Sequence, residues 1–454
     1  MKIIIAGAGK VGYSVAQMLE AEGHDLTVIE RDAETVSRLS NELDVVCVEG
    51  SATNPETLRE AGAAEAELLI AATELDEVNM ICGIAARKLG TPQIVARIRD
   101  PEYLHQTEFL RDALGIDFIV NPEYECAREI SRILRFPSAV RVDTFSKGSA
   151  EIMEYRVGEG SRLDGAALKT LPSTYGAKVL VGVVERGGDA IIPNGDFVLK
   201  TGDLLSVTGS SGELRRFFTA LGQYRRPVKN VMILGGGRIA VYLTRLLHES
   251  GIEAAIVEAD RARCDLLCDL VPYARVIHGD GTVREVLTEE GLERSDAFVA
   301  LTGDDENNII TSMYAKRVNV PKIVTKVNRE HLADILLSYG IDSYVTPKKL
   351  IAQQLTGYVR ALNNSRGSSM ETMHRLADGK VEALEFKVKD GARIIGVPLK
   401  DLKLKPNVLI SAVIHDNKTV IPGGATVIES GDHAVVVARA GLYRDLDEIV
   451  EGRA

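Results

Sequence analysis

Residues 1–12 read MKIIIAGAGKVG, and residues 25–30 read DLTVIE. Residues 2–6 form a short apolar run of strand length, and residues 10–21 carry apolar positions at helical spacing. The turn between them, Gly7-Ala8-Gly9-Lys10-Val11-Gly12, leaves a strand and opens a helix. Glu30 ends the next apolar run, 18 residues after Gly12. In that setting the three glycines have separate tasks. One makes the tight turn, one lets the backbone approach a pyrophosphate, and one lets the helix pack on the sheet. The helix start offers free N–H groups and its positive dipole end to phosphates. Glu30 is placed to accept hydrogen bonds from ribose hydroxyls. Its charge repels a 2′-phosphate, so NAD or an adenine nucleotide is expected rather than NADP.

Outward from this turn the alternation continues. Strands are expected at 45–48, 68–72, 94–98 and 118–120, with helices at 78–89 and 103–113 between them. Alternating strands and helices give a parallel sheet covered on both faces, and right-handed crossovers close it as a doubly wound sheet.

The whole pattern is then written a second time. Gly235-Gly236-Gly237-Arg238-Ile239-Ala240 follows KNVMIL, with Gly235 at an offset of 228 from Gly7 and Glu258 at the same offset from Glu30. Gly50 and Thr53 match Gly279 and Thr282, and Asp76, Asn79 and Pro92 match Asp305, Asn308 and Pro321, all at 229. Between and after these α/β units lie two shorter ones. GSRLDGAALKTL (160–171) matches GARIIGVPLKDL (391–402), and IIPNGDFVLKTGD (191–203) matches VIPGGATVIESGD (420–432). The order is A–B–A–B, as duplication and fusion would produce. Each B unit has valine-rich strands between Gly and Pro turns and a helix-like end, ELRRFFTALG in one and LYRDLDEIV in the other. It reads as a small α+β domain. The expected domains are 1–137, 138–224, 228–362 and 368–454, with linkers near 136–147, 222–229 and 363–369.

Further candidates lie at the carboxyl edge of each sheet, where open α/β folds bind ligands. Gly50 and Ser51 in one copy, and Gly279 and Asp280 in the other, either border an adenine or make ordinary loops. Thr73 and Glu74, and Thr302 with Gly303, follow the fourth strand on the same edge. Arg97 and Arg99 are two apart on an expected strand and hence on one face, where they either meet the outer phosphates or pair with nearby acids. The second copy has Lys326 and Asn328 there, so the two sites are not expected to bind the same ligand equally. The acids of ELDEVN (74–79) and GDDENN (303–308) read as favouring helix N-termini, with a divalent cation as the other reading.

The composition narrows the function. Lys and Arg number 54 against 65 Asp and Glu, a net charge of −11, which argues against sequence-independent nucleic-acid binding. Cores must be aliphatic, since aromatics are 5% and Trp is absent. Five cysteines are too few and too irregular for a disulfide framework, and Cys264 and Cys268 read as buried residues on one helix face rather than a metal site. No apolar stretch approaches the ~20 residues of a membrane span, so a cytosolic location is expected, with any membrane role through a partner. The eight histidines are scattered and none repeats between the halves. With no catalytic constellation and no metal site assigned, the pattern reads as a sensor. An NAD-dependent oxidoreductase is the alternative, and it would need an acid or base from a B unit.

MKIIIAGAGKVG, the EGSAT/HGDGT pair, ARIRDP and LTGDDENNIITSMYAKR resemble the cytosolic regulatory subunits of bacterial Trk potassium uptake systems, which carry two KTN/RCK domains per chain. The resemblance covers essentially the whole chain. It implies Rossmann-like sheets followed by RCK C-terminal subdomains, with NAD(H), ATP or ADP in the clefts. It implies a ring of eight A-type domains from four chains, on the cytoplasmic face of a membrane-embedded potassium-translocating subunit that nucleotide exchange gates. By position it puts Gly7, Gly9, Lys10, Val11, Glu30, Thr73, Glu74 and Arg97 in a first site. Gly235, Gly237, Arg238, Glu258 and Thr302 fall in a second, where Lys326 stands at the place of Arg97. The same domain pair serving another cation channel or antiporter is a further reading.

Overall fold

The computed structural model describes residues 1–104, 106–136, 139–222, 228–341, 343–364, 369–441, 443 and 445–451. The linkers expected near 222–229 and 363–369 fall largely outside the described residues, whereas the one expected near 136–147 is mostly the strand Arg141–Phe145. The chain gathers into two compact units. One holds residues 1–131 and 229–356, the other 132–228 and 357–454.

The first unit contains two six-stranded parallel sheets. In one, β1 (Lys2–Ala6), β2 (Asp25–Glu30), β3 (Val46–Glu49), β4 (Leu68–Ala71), β5 (Ile94–Arg97) and β6 (Phe118–Val120) lie in the order 3-2-1-4-5-6. That is the doubly wound order, with its switch point between β1 and β4. Ile3, Ile4, Ile5 and Ala6 are all buried, because a central parallel strand is covered on both faces and has no polar side to show. The register sets Ala6 beside Ile29 and Ala71, so the glycine turn emerges above the ends of β2 and β4.

The elements of the second copy are β12 (Asn230–Leu234), β13 (Glu253–Glu258), β14 (Arg275–His278), β15 (Ala297–Ala300), β16 (Lys322–Lys326) and β17 (Tyr344–Val345). Their order is 14-13-12-15-16-17, the same arrangement.

The second unit contains two five-stranded sheets. One is β7 (Arg141–Phe145), β8 (Ala150–Arg156), β9 (Leu180–Arg186), β10 (Asp189–Ile191) and β11 (Leu204–Gly209), in the order 10-9-11-8-7. The other is β18 (Met370–Leu376), β19 (Val381–Lys387), β20 (Val408–His415), β21 (Lys418–Val420) and β22 (His433–Arg439), in the order 18-19-22-20-21. Their pairings are antiparallel. Phe145, Ile152 and Val183 of the first sheet share a core with Leu376, Ala383 and Val437 of the second.

Three local expectations need correction. The helix expected at 103–113 is two, Pro101–Leu104 and Thr107–Leu114. LYRDLDEIV does not end in an α-helix but in the short 3-10 turn Leu446–Ile449. Its Asp445 and Glu448 form a capping box, yet the backbone then pairs with 403–405, since Lys405 N–H donates to Ile449 and Glu451 N–H to Lys403. Cys264 and Cys268 share one helix, Arg261–Leu270, but only Cys264 is buried; Cys268 is exposed. Among the described residues no helix is long and apolar enough to cross a membrane.

Candidate nucleotide site

The first glycine turn is built as its spacing requires. Gly7 has φ +94°, and a Cβ there would lie 3.0 Å from the backbone of Thr73. A Cβ on Gly12 would lie 1.9 Å from the carbonyl oxygen of Gly7, so the helix packs against the turn only with glycine there. Gly9 is different. Among the described residues no atom beyond its chain neighbours lies within 4 Å of a Cβ built on it, and its φ of −64° and ψ of −173° are open to any residue. Nothing among the described residues requires glycine at this position; its bare backbone faces open space.

That space is a cavity of about 930 Å³. Ala8, Gly9, Lys10, Val11, Glu74 and Arg97 line it from the first copy, and Ile239, Gly303, Asp304, Asp305, Glu306, Lys326, Asn328, Arg329, Pro347 and Lys348 from the second. Lys326 was assigned from the repeat to the second cleft, but its side chain lines the cavity over the first turn. Two cations here are poorly satisfied. The side chain of Arg97 is 12% exposed; among the described residues its nearest carboxylate oxygen is Glu123 Oε1 at 3.8 Å, and its Nε has no hydrogen-bond partner. Burial lowers its pKa, and Glu123 opposes the shift. Burial likewise lowers that of Lys326, against Cys126, Asp305 and Glu123, and its Nζ has one long hydrogen bond, 3.4 Å to the carbonyl of Leu301. A buried cation without a matched anion is costly, and an anionic ligand relieves both.

Arg99 shares the carboxylate of Glu123 with Arg97, each guanidinium 3.8 Å from Oε1. β5 ends at Arg97, so strand alternation does not carry to Arg99. Its guanidinium binds the carbonyl of Glu74 and lies 3.5 Å from Asp76. Asp76 and Asp305 themselves accept backbone N–H groups, of Arg99 and Asp100 in one copy and of Asn328 and Arg329 in the other. Burial raises the pKa of Asp305, but these N–H groups outweigh it and hold the carboxyl below its ordinary range. These acids tie the loop after the fifth strand to the helix start.

Thr73 and Thr302 have an equivalent framework role. In each copy the threonine N–H and hydroxyl donate to an asparagine Oδ1, Asn79 or Asn308, at 2.7 to 2.9 Å. The asparagine Nδ2 donates on to the carbonyl of Arg97 or Lys326. The repeat of these asparagines at one offset was the available signal, and their role needed the fold.

Glu30 Oε2 accepts from the N–H of Ala8 at 2.7 Å, and its Oε1 from Arg31 and Asp32. Glu258 does the same for Gly236 and Asp260. Each glutamate therefore clamps its own glycine turn, with lone pairs left for ribose hydroxyls. Gly50 and Ser51 sit beyond β3, where Ser51 Oγ accepts from Arg31 and pairs with Thr53. Gly279 follows β14, and Asp280 accepts from the N–H and hydroxyl of Thr282.

The second turn has the same backbone, with Gly235 at φ +95° and no atom within 4 Å of a Cβ on Gly237. Its surroundings differ. Arg263 Nε donates to the carbonyl of Gly236 at 2.7 Å, at the repeat position where the first copy has Thr35. Arg238 is exposed. Tyr242 stands at the repeat position of Ser14, is 1% exposed, and reaches the first copy directly. Its hydroxyl donates to the carbonyl of Arg99 at 2.8 Å and accepts from Asn121 at 2.9 Å. Ser14 instead lines the cavity opposite Asn328 and Pro347, the repeat partners of Arg99 and Pro122. The repeat matched Val120-Asn121-Pro122 to Val345-Thr346-Pro347, but no sequence pattern marked Tyr242 or Glu123.

Comparison with known proteins agrees with this architecture. The TrkA-N domain matches residues 3–122 and 231–347, and the TrkA-C domain matches 152–222 and 383–450. A Trk system potassium uptake protein TrkA homolog of Archaeoglobus fulgidus is 33% identical over 99% of this chain and 100% of its own length. The Trk system potassium uptake protein TrkA of Halomonas elongata is 33% identical over 99% of each chain. A solved structure of the GsuK channel bound to NAD has a TM-score of 0.63 at 20% identity, covering 96% of this chain and 76% of that one, a likeness of fold. With both domain types matched twice, in alternation, and its full length shared with these relatives, the chain belongs to the TrkA family of Trk system potassium uptake proteins.

Proposed function

We propose that this chain is the nucleotide-sensing regulatory subunit of a Trk potassium uptake system, and that NAD(H), ATP or ADP binds over the first glycine turn. The observation that carries the reading is the bare backbone of Gly9 facing a cavity lined by Arg97 and Lys326. The pyrophosphate sits on the helix start at Lys10, with Glu30 toward the ribose. The GsuK structure that holds NAD has the same fold. Four chains form a ring of eight such domains on the cytoplasmic face of the membrane-embedded partner. The ligand gates by binding one ring shape more tightly than another. Because the cavity takes its lining from both copies, a ligand's outer charge acts on both at once.

Calorimetry of the full chain with ATP, ADP, NAD⁺ and NADH tests this. Arg97→Ala should weaken the ligand with the greater outer phosphate charge by about tenfold or more, the value of one charge-assisted hydrogen bond. Equal affinities for all four ligands, untouched by the substitution, would overturn the sensing role. We read the chain as a binding protein rather than an oxidoreductase, and steady turnover of bound NADH with a small oxidisable or reducible substrate would reverse that.

A further inference from the structure

The second B unit holds a cluster that the nucleotide reading does not use. Glu371, Glu385 and His433 present three ligand atoms within 4.8 Å of one another. His433 Nδ1 lies 3.1 Å from Glu371 Oε2 and 3.1 Å from Glu385 Oε1. Donor atoms around a tetrahedral Zn²⁺ stand about 3.3 Å apart, so these two separations match edges of such a site.

Charge supplies a second, independent argument. Glu382 and Glu385 lie three apart on β19 and are each 1% exposed. Glu382 is compensated by Arg360 at 2.8 Å and Arg375 at 3.8 Å. Glu385 has no such guanidinium. Among the described residues its only cationic partner is His433, a cation only when protonated. Its other donors are the hydroxyl and N–H of Ser146, whose φ of +44° is unusual for a residue other than glycine. A buried carboxylate held by outer donors and lacking a fixed cation is the arrangement seen where a metal ion supplies the charge. Glu371 is exposed and gives a route from solvent. The first B unit has Leu204 at the place of His433, so the cluster belongs to one copy alone.

We propose that Glu371, Glu385 and His433 bind one divalent transition-metal ion of the Zn²⁺ class. The imidazole favours such a metal over Mg²⁺ or Ca²⁺, which take oxygen ligands. The neutral ring coordinates through Nδ1 and carries its proton on Nε2, and water completes the shell. Through Ser146 the bound ion ties the sheet of the second B unit to that of the first.

The test uses the full chain, stripped with EDTA and desalted, titrated with ZnCl₂ by calorimetry and with CoCl₂ by visible absorption. One Zn²⁺ per chain and a Co²⁺ ligand-field band are expected. His433→Leu, which installs the residue of the other copy, and Glu371→Gln should each weaken binding by at least about tenfold. Cys268→Ser should leave it unchanged. Absence of binding, binding that survives both variants, or binding lost only in Cys268→Ser overturns the proposal. If His433→Leu fails to fold by circular dichroism, the exposed Glu371→Gln decides. Absence of binding would leave a histidine hydrogen-bonded between two carboxylates as the account of the cluster.

Discussion

Gly9→Ala and Gly12→Ala make the same chemical change three residues apart, and the structure assigns them opposite consequences. At Gly12 the new methyl carbon would lie 1.9 Å from the carbonyl oxygen of Gly7, where about 3.0 Å is the shortest contact real Cβ atoms make. Turn or helix must move by over an ångström, and overpacking of that kind costs about 1–3 kcal/mol or more. At Gly9 the methyl meets nothing within 4 Å and the backbone is already extended. Loss of unfolded-state freedom favours alanine by about 0.4–1 kcal/mol, and the poorer helix cap costs a few tenths or more. The free protein should therefore melt within about 1 kcal/mol of wild type. A phosphate seated on the bare backbone is pushed away by the methyl group. Each charge-assisted hydrogen bond lost is worth about 1.5–3 kcal/mol, so affinity should fall roughly ten- to 150-fold. Urea unfolding of the ligand-free proteins and calorimetry with ADP and NAD⁺ measure both quantities on one preparation. A folded Gly9→Ala protein that binds both nucleotides as wild type does would show that no ligand rests on this turn, and the site assignment would fail. A Gly12→Ala protein of unchanged stability would refute the packing argument separately.

Two further outcomes follow from other parts of the chain. Tyr242→Phe leaves the amide of Asn121 and the carbonyl of Arg99 without their buried partner, so stability should drop by about 1–3 kcal/mol; an unchanged urea midpoint contradicts it. Burial raises the pKa of Asp143, but Arg141 at 2.9 Å and His374 at 3.1 Å outweigh that and hold the carboxyl well below its ordinary range. A depressed carboxylate contributes stability above its unfolded pKa of about 3.9 and loses it as pH falls through the folded value. Asp143→Asn should flatten the acid limb of a midpoint-against-pH curve, and an unchanged limb would remove Asp143 as its cause.

The strands of the α/β units were legible because parallel strands buried on both faces read as plain apolar runs. β1, β2 and β6 have the bounds their residues predict, β4 and β5 each end one residue sooner, and β3 is shifted by one residue at both ends. The glycine turn was legible because its steric demands are local. Arg99 takes the second of its two expected roles, pairing with the nearby acids Asp76 and Glu123, and which role it takes depends on contacts that spacing along the chain does not show. Lys326 was matched correctly by repeat register to Arg97, yet register says nothing of which copy's cleft a side chain enters. LYRDLDEIV reads as a helix-like end, but its helical turn is cut short because the residues after it pair with 403–405. The Glu371, Glu385 and His433 cluster was invisible for another reason. Its members come from separate strands, and no spacing along the chain brings them together.

Ser14 and Tyr242 occupy one position of a duplicated sequence, the first beside a chamber and the second riveted through its hydroxyl. Two identical subunits around a twofold axis could not be made this way, because any substitution appears on both sides of the axis. Fusion into one polypeptide removes that constraint. One junction can be sealed by an aromatic ring while its counterpart stays hollow, so the two seams between the copies differ in how firmly they are held.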